Sequence, residues 1–149
     1  DNLCEYFTVD DLMFLKRTGR LSGAGAVVGT MLNIKPILRG DEEGHIVACQ
    51  KIRGRKKTVE TLAKIYAERV VDPQNQRVGI THGDCPEDAA ALEAMLREKH
   101  DIKDITTGYV GPVIGAHTGP GVIALFYLGK HRCVIVTIGR QPRCNMLKY

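Results

Sequence analysis

The chain has 149 residues and a formal charge of +4, with 44% hydrophobic and 26% charged residues. This predicts one soluble globular domain that folds without a disulfide or metal staple, and it argues against a disordered chain. No apolar run nears the ~20 residues of a membrane-spanning helix, and the acids Asp1, Glu5, Asp10 and Asp11 argue against a secretory leader.

The charge is uneven along the chain. Residues 130–149 carry Lys130, Arg132, Arg140, Arg143 and Lys148 and no acid, so the preceding 129 residues are nearly neutral. The positive balance therefore belongs to the tail, which weakens a nucleic-acid reading. Cys4, Cys49, Cys85, Cys133 and Cys144 follow no framework spacing. That predicts reduced thiols in a cytoplasmic protein.

In chain order, Cys4–Val9 reads as a strand. Thr8 with Asp11 marks a helix start, and Gly19 stops that helix. Ser22 caps a second helix, on which Val27, Val28, Met31 and Leu32 form an apolar stripe. Ile34–Leu38 and His45–Ile52 read as a hairpin around the turn Asp41–Gly44, with Pro36 implying an edge position or strand end. Lys57–Val71 is an amphipathic helix. Arg77–Thr81 is a strand that runs into His82-Gly83-Asp84, and Asp84 or Cys85 caps a helix carrying Leu92, Met95 and Leu96. Asp104–Val110 and Val122–Leu128 are strands, and residues 111–121 between them read as a tight, non-repetitive loop. Strands alternating with helices predict an α/β domain, and the hairpin predicts a mixed sheet.

Three stretches carry candidate chemistry. His117-Thr118-Gly119-Pro120-Gly121 can aim imidazole, hydroxyl and backbone N–H groups at one anion, or can be a turn whose His bonds its neighbours. Arg20, between a helix stop and a helix start, can share an anion with free N–H groups or stay solvated. Lys51–Lys57 holds Arg53 and Arg55 in a basic run, which reads as a solvated cluster or as a phosphate or acidic-partner contact. His82, Asp84 and Cys85 mimic a Cys/His nucleophile site, although Cys85 beside Pro86 fits a cap or packing role better. There is no phosphate loop, dinucleotide fingerprint or zinc spacing.

Taken in order, Leu15–Gly23, Leu32–Leu38, Arg53–Lys57, His82–Asp84 and Gly115–Gly121 resemble the C-terminal domain of the DegV family of bacterial fatty-acid-binding proteins. The resemblance covers residues 1–129, and leaves 130–149 as a basic tail in which Cys133–Ile138 has the makings of a further strand. It implies a two-layer α/β domain with a mixed sheet of about six strands and helices on one face. It also implies a lipid-binding subunit, not an enzyme by itself. Such a subunit holds a fatty acid between two domains and presents the carboxylate to a separate kinase subunit.

By this resemblance His117, Thr118, Gly119 and Arg20 bind the ligand, and Arg53 and Arg55 face the phosphate or the partner. Val28, Met31, Leu32, Ile34 and Ile37 line the acyl chain. No cofactor, metal, nucleic acid or stable membrane insertion is implied. The family's N-terminal domain, with its Ser/Thr hydroxyls, is missing from this sequence. The alternative implied by the fold is a phosphotransfer substrate domain like that of dihydroxyacetone kinase, where a His holds the ketone covalently.

Overall fold

The computed structural model describes residues 2–20 and 33–130. Six strands run β1 Leu3–Thr8, β2 Ile34–Gly40, β3 Ile46–Arg53, β4 Arg77–His82, β5 Asp104–Tyr109 and β6 Ile123–Leu128. Four helices are α1 Leu12–Arg17, α2 Arg55–Arg69, α3 Pro86–Lys99 and α4 Pro112–Thr118. The strands form one sheet in the order β3-β2-β1-β6-β4-β5. Among the described strands only β4 and β5 pair in parallel; the other pairs are antiparallel. The α/β class and the mixed sheet of six strands are as expected, but the helices are not confined to one face: α2 and α3 share one, and α1 packs on the other through Leu15.

Strand alternation sorts the apolar residues onto two faces. On one face Tyr6, Ile37, Val78, Ile80, Leu125 and Tyr127 meet Val59, Leu62 and Tyr66 of α2 and Ala89, Leu92 and Leu96 of α3. These helical residues recur at three- and four-residue spacing, so each long helix turns one stripe to the sheet. On the other face Phe7, Leu38 and Ala124 pack with Leu15 of α1, and Phe126, Ile46 and Ala48 stay half-buried.

Several local expectations change. Residues 111–121 are not loop throughout: Pro112 opens α4, and Gly119 at φ +73° ends it. A proline at the first helical position and a glycine just past the last are ordinary helix boundaries. Pro36 does not lie on an edge strand, since β2 sits between β3 and β1. Phe7 faces Leu38 across β1–β2, so the β1-side neighbour of Pro36 falls beyond the end of β1, where no N–H is needed. Helix α2 begins at Arg55 instead of Lys57, directly after Gly54 at φ +92°.

Cys49 and Cys85 form no disulfide, whereas Cys4 is disulfide-bonded, a departure from reduced cysteines throughout. Among the described residues no helix is long and apolar enough to cross a membrane. The second helix read from Ser22 and the strand read over 133–138 lie outside the described residues.

Candidate functional site

The end of β4 and the start of β6 bring two of the sequence motifs together. Gly83 N–H donates to Val122 O at 2.8 Å, and Gly121 N–H donates to Gly83 O at 2.6 Å. The approach is close because neither glycine carries a Cβ. One built on Gly83 would lie 2.8 Å from Val122 Cγ1, and one on Gly121 would lie 2.6 Å from Asp10 Cβ.

His117 and Thr118 therefore sit in the last turn of α4, above this glycine junction. Thr118 is buried and its hydroxyl donates to Ile114 O at 2.9 Å, so its proton is engaged within the helix. Gly119 N–H closes the helix on Gly115 O at 2.8 Å. His117 is half-buried, and its Nδ1 is shielded from solvent without a hydrogen-bond partner. A buried polar atom left in that state costs free energy, which makes it a receptive point for a polar ligand group.

Helix α1 stands beside this turn. Asp11 Oδ1 caps its start by accepting from Met13 N–H at 2.8 Å, so Asp11 itself is the cap. At the other end Gly19, at φ +67°, donates to Lys16 O and Arg20 N–H donates to Leu15 O. This pair of bonds is a Schellman ending, and it fixes the backbone at Arg20 while the side chain stays exposed.

The two arginines of the basic run part company. Arg53 ends β3 with its side chain exposed. Arg55 turns inward: Nε donates to Asp88 Oδ2 at 2.7 Å and Nη2 to Cys85 Sγ at 3.4 Å, with Asp10 Oδ1 3.9 Å from Nη1. Lys35 adds a second cation here, its Nζ meeting both Asp10 Oδ1 at 2.7 Å and Asp10 O at 2.8 Å. Sequence reading did not single out Asp10, Lys35 or Asp88. Only the fold brings these distant residues into one cluster.

His82, Asp84 and Cys85 do not assemble a nucleophile and base. His82 Nδ1 accepts from the Cys85 backbone N–H at 3.4 Å, not from its thiol, and the His82 ring lies 4.6 Å from that of Tyr109. The Cys85 thiol donates to Val122 O at 3.3 Å. Burial pushes that thiol above its ordinary range despite Arg55, the reverse of a reactive cysteine.

The predicted acyl-lining residues scatter. Ile37 is fully buried in the core under α2, and Ile34 is half-buried at the start of β2. Val28, Met31 and Leu32 lie outside the described residues. Among the described residues no group of three His, Cys, Asp or Glu side chains gathers to hold a metal.

Comparison with known proteins adds the family context. Residues 1–130 match the model described as "uncharacterised protein, DegV family". A DegV domain-containing protein of Clostridium perfringens is 46% identical over 129 residues, which is 87% of this chain and 44% of that protein. A solved DegV family protein from Thermus thermophilus, described for its fatty-acid binding, has a TM-score of 0.75 at 32% identity over 85% of this chain and 46% of that one. DegV from Bacillus subtilis, described as a fatty acid binding protein, has a TM-score of 0.69 at 35% identity over 87% of this chain and 45% of that one. The chain thus spans less than half the length of the relatives it matches.

Proposed function

The chain belongs to the DegV family, and we propose that it supplies one side of a fatty-acid site, holding the acyl chain and the carboxylate for a separate kinase subunit. The observation that carries this reading is His117 Nδ1, shielded and unpartnered at the end of α4. A fatty-acid carboxylate supplies the acceptor that a protonated Nδ1 needs. Arg20, anchored by the end of α1, adds a cation on the same side of the fold.

Apolar surface would hold the rest of the ligand. The sheet face under α1 offers the half-buried Phe126, Ile46 and Ala48, with Phe7, Leu38 and Ala124 buried beside them. Each buried methylene contributes ~0.8 kcal/mol, so a long acyl chain provides most of the affinity and the polar groups fix its head. Ile37 points to the other face and is fully buried, so it leaves the lining. Tyr109, Val113 and Ile114, at 74, 70 and 54% exposure, form an apolar rim around α4, suited to contact with the part of the relatives' length that these residues do not span. Exposed Arg53 suits an acidic or phosphate-bearing partner, whereas Arg55 is engaged with Asp88 inside the fold.

The test uses a protein that joins this domain to the remaining length of its relatives. Mass spectrometry should find co-purified fatty acid, and added palmitate should bind. Absence of both ends the proposal. His117→Ala should abolish phosphorylation of the bound acid by a fatty-acid kinase subunit; unchanged turnover would reduce His117 to a helix-end residue.

A further inference from the structure

We propose that Phe14 is a positioning residue that sets the place of His117 relative to Arg20. The inference rests on His117 meeting the carboxylate, and it concerns what holds the imidazole there. With Nδ1 unpartnered, no hydrogen bond from that atom to the protein fixes the ring. Its position is inherited from the backbone of the last turn of α4 and the glycines beyond it.

That backbone is seated on the segment from Asp10 to Arg20. A Cβ on Gly119 would lie 2.6 Å from Phe14 Cδ2 and 2.7 Å from Cε2, so the Phe14 ring occupies the space left by the missing side chain. Two residues on, Asp10 fills the corresponding space at Gly121. Asp10 is itself held by Lys35 at its carboxylate and its carbonyl. Gly119 and Gly121 both have positive φ, so the turn leaves the helix by a path that other residues rarely follow.

Helix α1 spans only Leu12–Arg17. It therefore touches the His117 turn with Phe14 and, through its Schellman ending, fixes Arg20 a few residues later. One short rigid element relates the two groups that this reading assigns to the carboxylate. Losing the ring opens a gap under Gly119 and frees α4 to shift against α1. A displacement near 1 Å is enough to weaken a head-group contact severely.

The experiment uses the protein that carries this domain with the remaining length of its relatives, and palmitate as probe. Phe14→Ala should weaken palmitate binding about tenfold and move the His117 Cε1–H resonance in the NMR spectrum. Phe14→Leu, which keeps bulk against Gly119, should stay within about twofold of wild type. Leu62→Ala, in the core under α2 and away from α1, should lower stability yet leave that resonance and the affinity of the folded protein unchanged. Wild-type affinity and resonance in Phe14→Ala overturn the proposal, and so does Leu62→Ala if it perturbs both as strongly. Should the alanine variant fail to fold, Phe14→Val carries the same test with the same overturning result. His117→Ala distinguishes the two levels: if palmitate binding survives it, the site reading fails, whereas the resonance in Phe14→Ala still tests the positioning.

Discussion

Between the sheet and helices α2 and α3, Leu62, Ile80, Leu92 and Leu125 are buried completely, while on the opposite face Phe126 is half-exposed and Leu3 and Leu128 reach solvent at 57 and 48%. The closed face draws on two long helices and one continuous core. The other is covered, among the described residues, by a six-residue helix that leans on a glycine turn. The difference separates two tasks. Dense packing on one side fixes the fold; on the other, Phe7, Leu38 and Ala124 are buried too, and Phe126, Leu3 and Leu128 keep apolar surface within reach of a ligand.

Cutting into the closed face should have the largest effect. Leu62→Ala should cost about 3 kcal/mol in chemical denaturation, with palmitate affinity of the folded protein unchanged. On the open face, Phe126→Ala should cost less, about 1–2 kcal/mol, yet shorten palmitate residence in a dissociation assay. The opposite ranking of these two variants would erase the distinction between faces. The two arginines sharpen it at the rim. Asp88→Asn weakens the partner of Arg55 and should cost about 1 kcal/mol, whereas Arg53→Ala should stay within about 0.5 kcal/mol and instead reduce kinase-dependent turnover.

The smallest effect concerns alkaline pH. Burial raises the Cys85 thiol above its ordinary value and the Tyr66 phenol to about 12, so the folded state keeps both protons longer than the unfolded chain. For Cys85 that stabilisation is complete below an unfolded thiol pKa of about 8.5 and fades as pH rises through the folded value. Stability measured by urea unfolding should therefore fall on the alkaline side, and Cys85→Ala should fall less.

The strands and long helices were legible because their apolar residues repeat at two or at three to four positions, and that repeat survives in one sequence. Helix α4 was not, because Gly111, Pro112 and Gly115 suppress its pattern. The difference between Arg53 and Arg55 was hidden because it depends on the φ of Gly54 between them and on Asp88, far along the chain. Ile37 and Leu38 differ only in strand parity, which a bulge in the β2–β3 register between them makes harder to read. The motif around His117 stood out from composition, but its seat on Phe14 and Asp10 is a matter of space around two glycines.

The place of β1 in the sheet also governs how the domain comes together. β1 lies in the middle, with Leu3 opposite Leu128 and Thr8 opposite Ile123. Among the described strands, β1 therefore waits for β6, over a hundred residues on, before the centre can close. Contacts of such long range slow folding. During synthesis β3-β2-β1 and β4-β5 would exist as separate ribbons, each with an unpaired edge, until β6 emerges and joins them. A stop placed before Ile123 would remove the strand that makes the two ribbons a single sheet.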